Sequence, residues 1–131
     1  MESKKTILIV DDDRDFVQLL STRLRANYHM LFAGDAISAI NRAVEVNPDL
    51  ILLDIGLPAG DGFVIMERLK NIASLALTPV IVLSAHAPKF NKERVLKARA
   101  KAFFQKPPDN EELLKAVREA LGNRTEEAIT N

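Results

Sequence analysis

The sequence predicts an α/β fold, a doubly wound (βα)5 three-layer sandwich around a five-stranded parallel sheet. Three observations lead there. Short apolar runs recur along the chain, each the length of a buried strand: TILIV at 6–10, HMLFA at 29–33, LILL at 50–53, PVIVL at 79–83 and AFFQ at 102–105. Segments of helical period lie between them. A chain of 131 residues, 47% apolar and 27% charged, is large enough to bury one core of its own.

Each element has its own local reason. The runs at 6–10, 50–53 and 79–83 show almost no polar alternation, so both of their faces are covered. Phe16, Leu19, Leu20 and Leu24 share one face of a first helix, which Asp13 or Asp15 can cap. Ile37, Ile40 and Val44 mark a second helix, opened by Asp35 and ended by Asn47-Pro48. Phe63, Met66 and Leu69 mark a third, opened by Gly62. The last helix carries Leu113, Leu114, Val117 and Leu121; Pro108-Asp109-Asn110 begins it, Glu111 and Glu112 sit in its first turn, and Gly122 closes it. Strands alternating with helices pair in parallel through right-handed crossovers. The strand order 2-1-3-4-5, the flavodoxin-like arrangement, satisfies this. The expected division is a single domain over 1–122 and a polar tail or start of a linker over 123–131.

Composition excludes several functions. Lys plus Arg number 18 and Asp plus Glu 18, so there is no basic excess for direct nucleic-acid or membrane-surface binding. No apolar run approaches the ~18 residues of a membrane span, and the opening residues lead to the expectation of no signal peptide. Cysteine is absent, which removes disulfides, thiolate metal sites and cysteine nucleophiles. The expected compartment is the cytoplasm.

In an open α/β sheet the site lies outside the carboxyl ends of the strands. The first strand ends in Asp11-Asp12-Asp13, the third in Asp54, the fourth in Ser84-Ala85 and the fifth in Lys106-Pro107. These strands are neighbours, so carboxylates, a hydroxyl and an ammonium converge on one cleft. Clustered carboxylates repel, and a hard divalent cation such as Mg²⁺ relieves that, as does the Lys106 ammonium beside Asp54. A carboxylate flanked by a cation and an ammonium suits phosphoryl transfer, with the carboxylate as in-line nucleophile and Ser84 donating to the arriving group. Taken singly, each residue also has a plain structural reading, as a helix cap, a turn or a capping hydroxyl. Their common edge is what favours chemistry.

The segments ILIVDDD, LILLDIGLPAGDG, VIVLSA and AFFQKP together resemble the receiver domain of two-component response regulators, over about residues 4–121. The resemblance implies that Asp54 accepts a phosphoryl group from a histidine kinase or a histidine phosphotransfer protein. It implies Mg²⁺ (or Mn²⁺) held by Asp12, Asp54 and the Gly56 carbonyl, with Asp11 acting through water. Lys106 would pair with the phosphoryl oxygens. Ser84 and Phe103 would form the switch, felt on the face made by the helix before the last strand, that strand and the last helix. An output domain or partner protein, or a second copy, would read that face. Such domains catalyse their own phosphorylation and hydrolysis but are not turnover enzymes. A cis Lys106-Pro107 bond is implied as well. Around the site, Pro58 fixes φ in the loop after Asp54, Gly60 or Gly62 allows special turn geometry, and Ala85 and His86 follow Ser84.

Some positions depart from the family pattern. Arg99 stands where a glycine usually closes the helix before the last strand, so it must adopt a left-handed conformation or end the helix differently. Lys101 stands where an acidic residue is common, and Pro88 begins that helix. Lys89, Lys92, Arg94, Lys97, Arg99 and Lys101 place six cations within 13 residues, a partner surface or a solvated face. Two alternatives remain. One is an Mg²⁺-dependent phosphohydrolase with an Asp nucleophile: Asp11 and Asp13 give its Asp-x-Asp pair, but Asp15 stands where it has Thr or Val. The other is a receiver-derived scaffold that is never phosphorylated. A flavin binder would want a Ser/Thr/Gly-rich phosphate loop where this chain has DDDRD.

Overall fold

The computed structural model describes residues 4–56, 62–85, 97 and 99–122. Pro58, Gly60, His86, Pro88, Lys89, Lys92, Arg94 and the segment 123–131 lie outside the described residues. The sheet has five parallel strands in the order β2-β1-β3-β4-β5: β1 Thr6–Val10, β2 His29–Ala33, β3 Leu50–Asp54, β4 Val80–Ser84 and β5 Ala102–Gln105. The described helices are α1 Arg14–Leu24, α2 Ala36–Val46, α3 Gly62–Asn71 and α4 Asn110–Ala120. Among the described residues no helix is long and apolar enough to cross a membrane.

Strand alternation sorts the core into two layers. Ile7, Ile9, Leu50, Leu52, Ile81 and Leu83 face one side, where Phe16, Leu20 and Leu24 of α1 and Leu113 and Val117 of α4 cover them. Leu8, Val10, Ile51, Leu53, Val80 and Val82 face the other, under α2 and α3. The central strands β3 and β4 are buried at every residue, as their apolar runs at 50–53 and 80–83 require, and their polar last residues Asp54 and Ser84 are buried with them.

The strand bounds differ slightly from the sequence reading. β3 runs one residue further, because Asp54 pairs in register with Leu83. β4 begins at Val80, because Pro79 has no N–H to donate, although its carbonyl accepts from Ile51 N at 3.0 Å. The larger correction concerns α2. Ile37 and Val44 are not on its core face: they are 74% and 52% exposed, while Ala39 and Ala43 are fully buried. Small residues let this helix lie close on the sheet, and a pattern counted in large aliphatics misses them. Leu19 on α1 is likewise 44% exposed.

The caps fall where the sequence places them. Asp13 accepts from Phe16 N at 3.1 Å, and Asp109 from Glu112 N at 2.9 Å. Asn47 ends α2 in a left-handed conformation, φ 53°. Arg99 takes the left-handed option as well, φ 72°, as does Gly122 after α4, φ 81°. Gly62 is required for a reason other than turn geometry. A Cβ there would lie 2.3 Å from Ile55 Cα, so only glycine lets α3 start against that backbone. At the sheet edge, Arg42 Nε of α2 donates to the β2 carbonyl of Phe32 at 3.3 Å.

Asp35 accepts from Ser38 N at 2.8 Å and from the Ser38 hydroxyl at 3.0 Å, and these bonds hold its carboxyl below the ordinary range. An acid lowered in the folded state contributes stability that is present above its unfolded pKa, about 3.9, and lost as the pH falls through the folded value. Hydrogen-exchange protection in the first turn of α2 should therefore fall with acid below about pH 4. That acid step should be absent in Asp35→Asn. An equal step in both proteins would show that other groups control it.

Candidate functional site

The carboxyl ends of β1, β3 and β5 meet in one acidic cleft. Asp11 follows β1 and is tied in by its N–H, which donates to Ala33 O at 3.0 Å. Its Oδ1 accepts from Asp13 N at 2.9 Å, and its Oδ2 lies 2.7 Å from Lys106 Nζ. Asp54 ends β3; its Oδ1 accepts from Gly56 N at 2.8 Å and its Oδ2 lies 3.3 Å from the same ammonium. Asp12 is exposed at the mouth, whereas Asp11 and Asp54 are buried. Each of the three aspartates offers a carboxylate oxygen within 4.8 Å of the others'.

Burial and charge set the electrostatics. Burial pushes the Asp11 carboxyl above the ordinary range, and the nearby Asp54 charge adds to this; the Lys106 ammonium and the Asp13 N–H pull it back without cancelling it. Burial alone would lower Lys106, but pairing with Asp11 and the charge of Asp54 outweigh it. The net shift is upward, so Lys106 is held as a cation. The sequence reading paired Lys106 with Asp54. In the structure it bridges both buried acids and stands nearer to Asp11.

Most of the remaining sequence-selected residues that are described fall around this bridge, and Phe103 does not. Ser84 ends β4, 2% exposed, and its carbonyl accepts from Lys106 N at 2.7 Å, which fixes the register of the lysine. Ala85 follows it, exposed. The Lys106–Pro107 peptide is cis. Phe103 is half-buried on β5 opposite Val82, packed into the α2/α3 layer rather than beside Lys106. Gly56 lies against Asp54, where a Cβ would stand 3.3 Å from Oδ1. A groove of about 660 Å³ runs alongside Asp11 and Asp12, bounded by Arg14, Phe32 and Gly34. One neighbour was missed by sequence reasoning: the ring of Phe16, whose centroid lies 4.4 Å from Lys106 Nζ. Its spacing marked it only as a core residue of α1.

The donor set is all oxygen, which suits a hard cation such as Mg²⁺ and not a soft one. Among the described residues, two buried carboxylates bridged by the Lys106 ammonium and one exposed carboxylate form a site of net negative charge that a hard cation would balance.

Five parallel strands in this order form a flavodoxin-like sheet, with Asp11 directly after β1, Asp54 at the end of β3 and Lys106 directly after β5. The chain belongs to the response regulator receiver domain family, whose model matches residues 7–118. It is similar to the DNA-binding dual master transcriptional regulator RpaA of Synechocystis, 40% identical over 121 residues; these are 92% of this chain but 50% of RpaA, so the chain spans half the length of that relative. It is 30% identical to the polar-differentiation response regulator DivK of Brucella ovis over 91% of this chain and 98% of that protein. Among solved structures, a CheY-like receiver domain protein from Methanospirillum hungatei matches with TM-score 0.85 and 28% identity, over 95% of this chain and 99% of that one. The chemotaxis response regulator CheY4 of Vibrio cholerae matches with TM-score 0.83 and 26% identity, over 91% and 100%.

Proposed function

We propose that this receiver is phosphorylated on Asp54 with the help of Mg²⁺ and that the phosphoryl group reshapes an output face. The observation that carries this reading is the Lys106 ammonium set 2.7 Å from Asp11 and 3.3 Å from Asp54. A carboxylate oxygen of Asp54 attacks the phosphorus of a phosphohistidine on a histidine kinase or phosphotransfer protein. The O–P bond forms as the P–N bond breaks, and the released imidazole takes up a proton. Lys106 meets the charge gathering on the phosphoryl oxygens, and the Ser84 hydroxyl donates to one of them. Asp11, Asp12, Asp54 and the Gly56 carbonyl would hold Mg²⁺, which when bound offsets the charge of the acids and of the phosphoryl group.

An aspartyl phosphate brings about −1.5 to −2 of charge and three strong acceptors, by analogy with other phosphoresidues. It biases a two-state equilibrium through its differential contacts with Ser84. Phe103 then follows into the space Ser84 leaves, and β5 with α4 and the segment before β5 presents the result to an output domain, a partner protein or a second copy. The domain is a switch that makes and loses its own acyl phosphate, not an enzyme of turnover.

Incubation with acetyl phosphate, with and without Mg²⁺, read by intact mass, tests this. The expected result is a Mg²⁺-dependent gain of one phosphoryl group that Asp54→Asn abolishes. Steady phosphate release without a build-up in the wild type points instead to a phosphohydrolase or to a receiver with a very short-lived phosphoryl group. Neither adduct nor release leaves a scaffold whose acidic cluster is structural.

A further inference from the structure

We propose that Phe16 is a positioning residue for Lys106: its ring holds the ammonium over the acidic cleft while leaving the lysine's N–H donors to the oxygens there. The proposal rests on the phosphoacceptor reading and deepens it. A Lys ammonium within about 6 Å of an aromatic centroid is attracted by the negative face of the ring. Here the separation is 4.4 Å, and the lysine side chain is only 12% exposed, so solvent weakens the attraction little.

The ring is itself held in place. Asp13 caps α1 by accepting from Phe16 N at 3.1 Å, which fixes the turn that presents the side chain. Phe16 is 9% exposed and packed in the core layer with Ile9, Leu20 and Leu83. Lys106 is anchored from the other side by its own N–H on Ser84 O. Between two fixed backbones, a four-carbon stem would otherwise sample many rotamers.

The chemistry of the contact matters. A lysine ammonium has three N–H donors and no acceptor. Asp11 and Asp54 lie within reach of two of them. A third carboxylate in the position of the ring would take the remaining donor and add charge to a crowded anionic site. A π-face attracts the cation without spending that donor, which stays available for a phosphoryl oxygen. An aliphatic side chain fills the same space but has no such face.

Three proteins decide it: wild type, Phe16→Leu and Phe16→Tyr. At saturating acetyl phosphate, Phe16→Leu should form the aspartyl phosphate about three- to tenfold more slowly, the range a partly desolvated cation–π contact allows. Its apparent Mg²⁺ affinity should stay unchanged, because the substitution leaves Asp11, Asp12 and Asp54, the candidate ligands, in place. Phe16→Tyr, which keeps the ring, should restore the rate. By NMR, the Lys106 ε-methylene protons should be shifted upfield by the ring current in wild type and Phe16→Tyr, and not in Phe16→Leu. A Phe16→Leu rate equal to wild type, or a Phe16→Tyr rate as low as Phe16→Leu, overturns the proposal. So does an unshifted Lys106 signal in the wild type, which needs no variant to fold. If the wild type takes up no phosphoryl group at all, the phosphoacceptor reading has failed and the positioning role falls with it; the NMR shift then reports the ring contact alone.

Discussion

Lys106→Met should slow phosphoryl uptake at Asp54 about a hundredfold, the usual cost of deleting one preorganised charge-stabilising group. Methionine keeps most of the stem and removes the ammonium. The same change should cost folding stability. Asp11 and Asp54, with side chains 1% and 9% exposed, lose the cation that bridges them. Breaking a buried pair from one side leaves the other charges uncompensated, at about 3 kcal/mol. The sign of a third measurement follows from the same geometry. With no ammonium between the acids, added Mg²⁺ should raise the urea midpoint of Lys106→Met by more than it raises that of the wild type. An uptake rate within threefold of wild type, or equal Mg²⁺ stabilisation of both proteins, would remove Lys106 from the role assigned to it.

Gly62→Ala should be the most damaging glycine-to-alanine substitution among the described residues. The new Cβ would stand 2.3 Å from Ile55 Cα, 2.9 Å from its Cβ and 3.0 Å from its carbonyl carbon. Two of these atoms are backbone, so no rotamer change relieves the clash. Helix α3 must back away from the sheet, which loosens Phe63 and Met66 from the core layer they complete. Overpacking of this kind costs about 1–3 kcal/mol and more when the backbone must move, so a loss near 3 kcal/mol is expected. It should appear as a lower urea midpoint with the slope unchanged. Activity should fall too, because Ile55 lies between Asp54 and the Gly56 N–H that donates to Asp54 Oδ1 at 2.8 Å. Gly34→Ala is the control: its Cβ would meet nothing nearer than Asp11 O at 3.9 Å. If Gly62→Ala is as stable as Gly34→Ala, the close approach of α3 is not the constraint it appears in the geometry.

Much of this was legible in the sequence because it depends on order along the chain. Apolar runs announce strands, and the residue after each parallel strand is placed at the site edge by topology alone; Asp11, Asp54 and Lys106 needed nothing more. Caps were legible because they are local, as with Asp13, Asp35 and Asp109. What failed was whatever depends on distance between segments. The core face of α2 is made by Ala39 and Ala43, and no pattern of large aliphatics reveals a helix seated on alanines. The purpose of Gly62 lies in Ile55, seven positions back, and is a matter of clearance rather than of dihedral freedom. Lys106 standing nearer Asp11 than Asp54, and Phe16 beneath it, are facts of side-chain direction at the meeting of α1 with β5. The departure at Arg99 was readable as a choice between two geometries, and the backbone takes the left-handed one.

The hydrogen bond from Arg42 to the Phe32 carbonyl bears on how this molecule behaves in a crowd of its own copies. β2 is the rim of the sheet, and a bare rim is a template on which a neighbouring chain can lay a further strand. A guanidinium seated on that rim occupies a rung of the ladder and sets a positive charge where the identical rim of another copy would have to approach. Ribbon growth from this side is therefore frustrated at its first step, and the protection comes from the second helix rather than from the strand it guards.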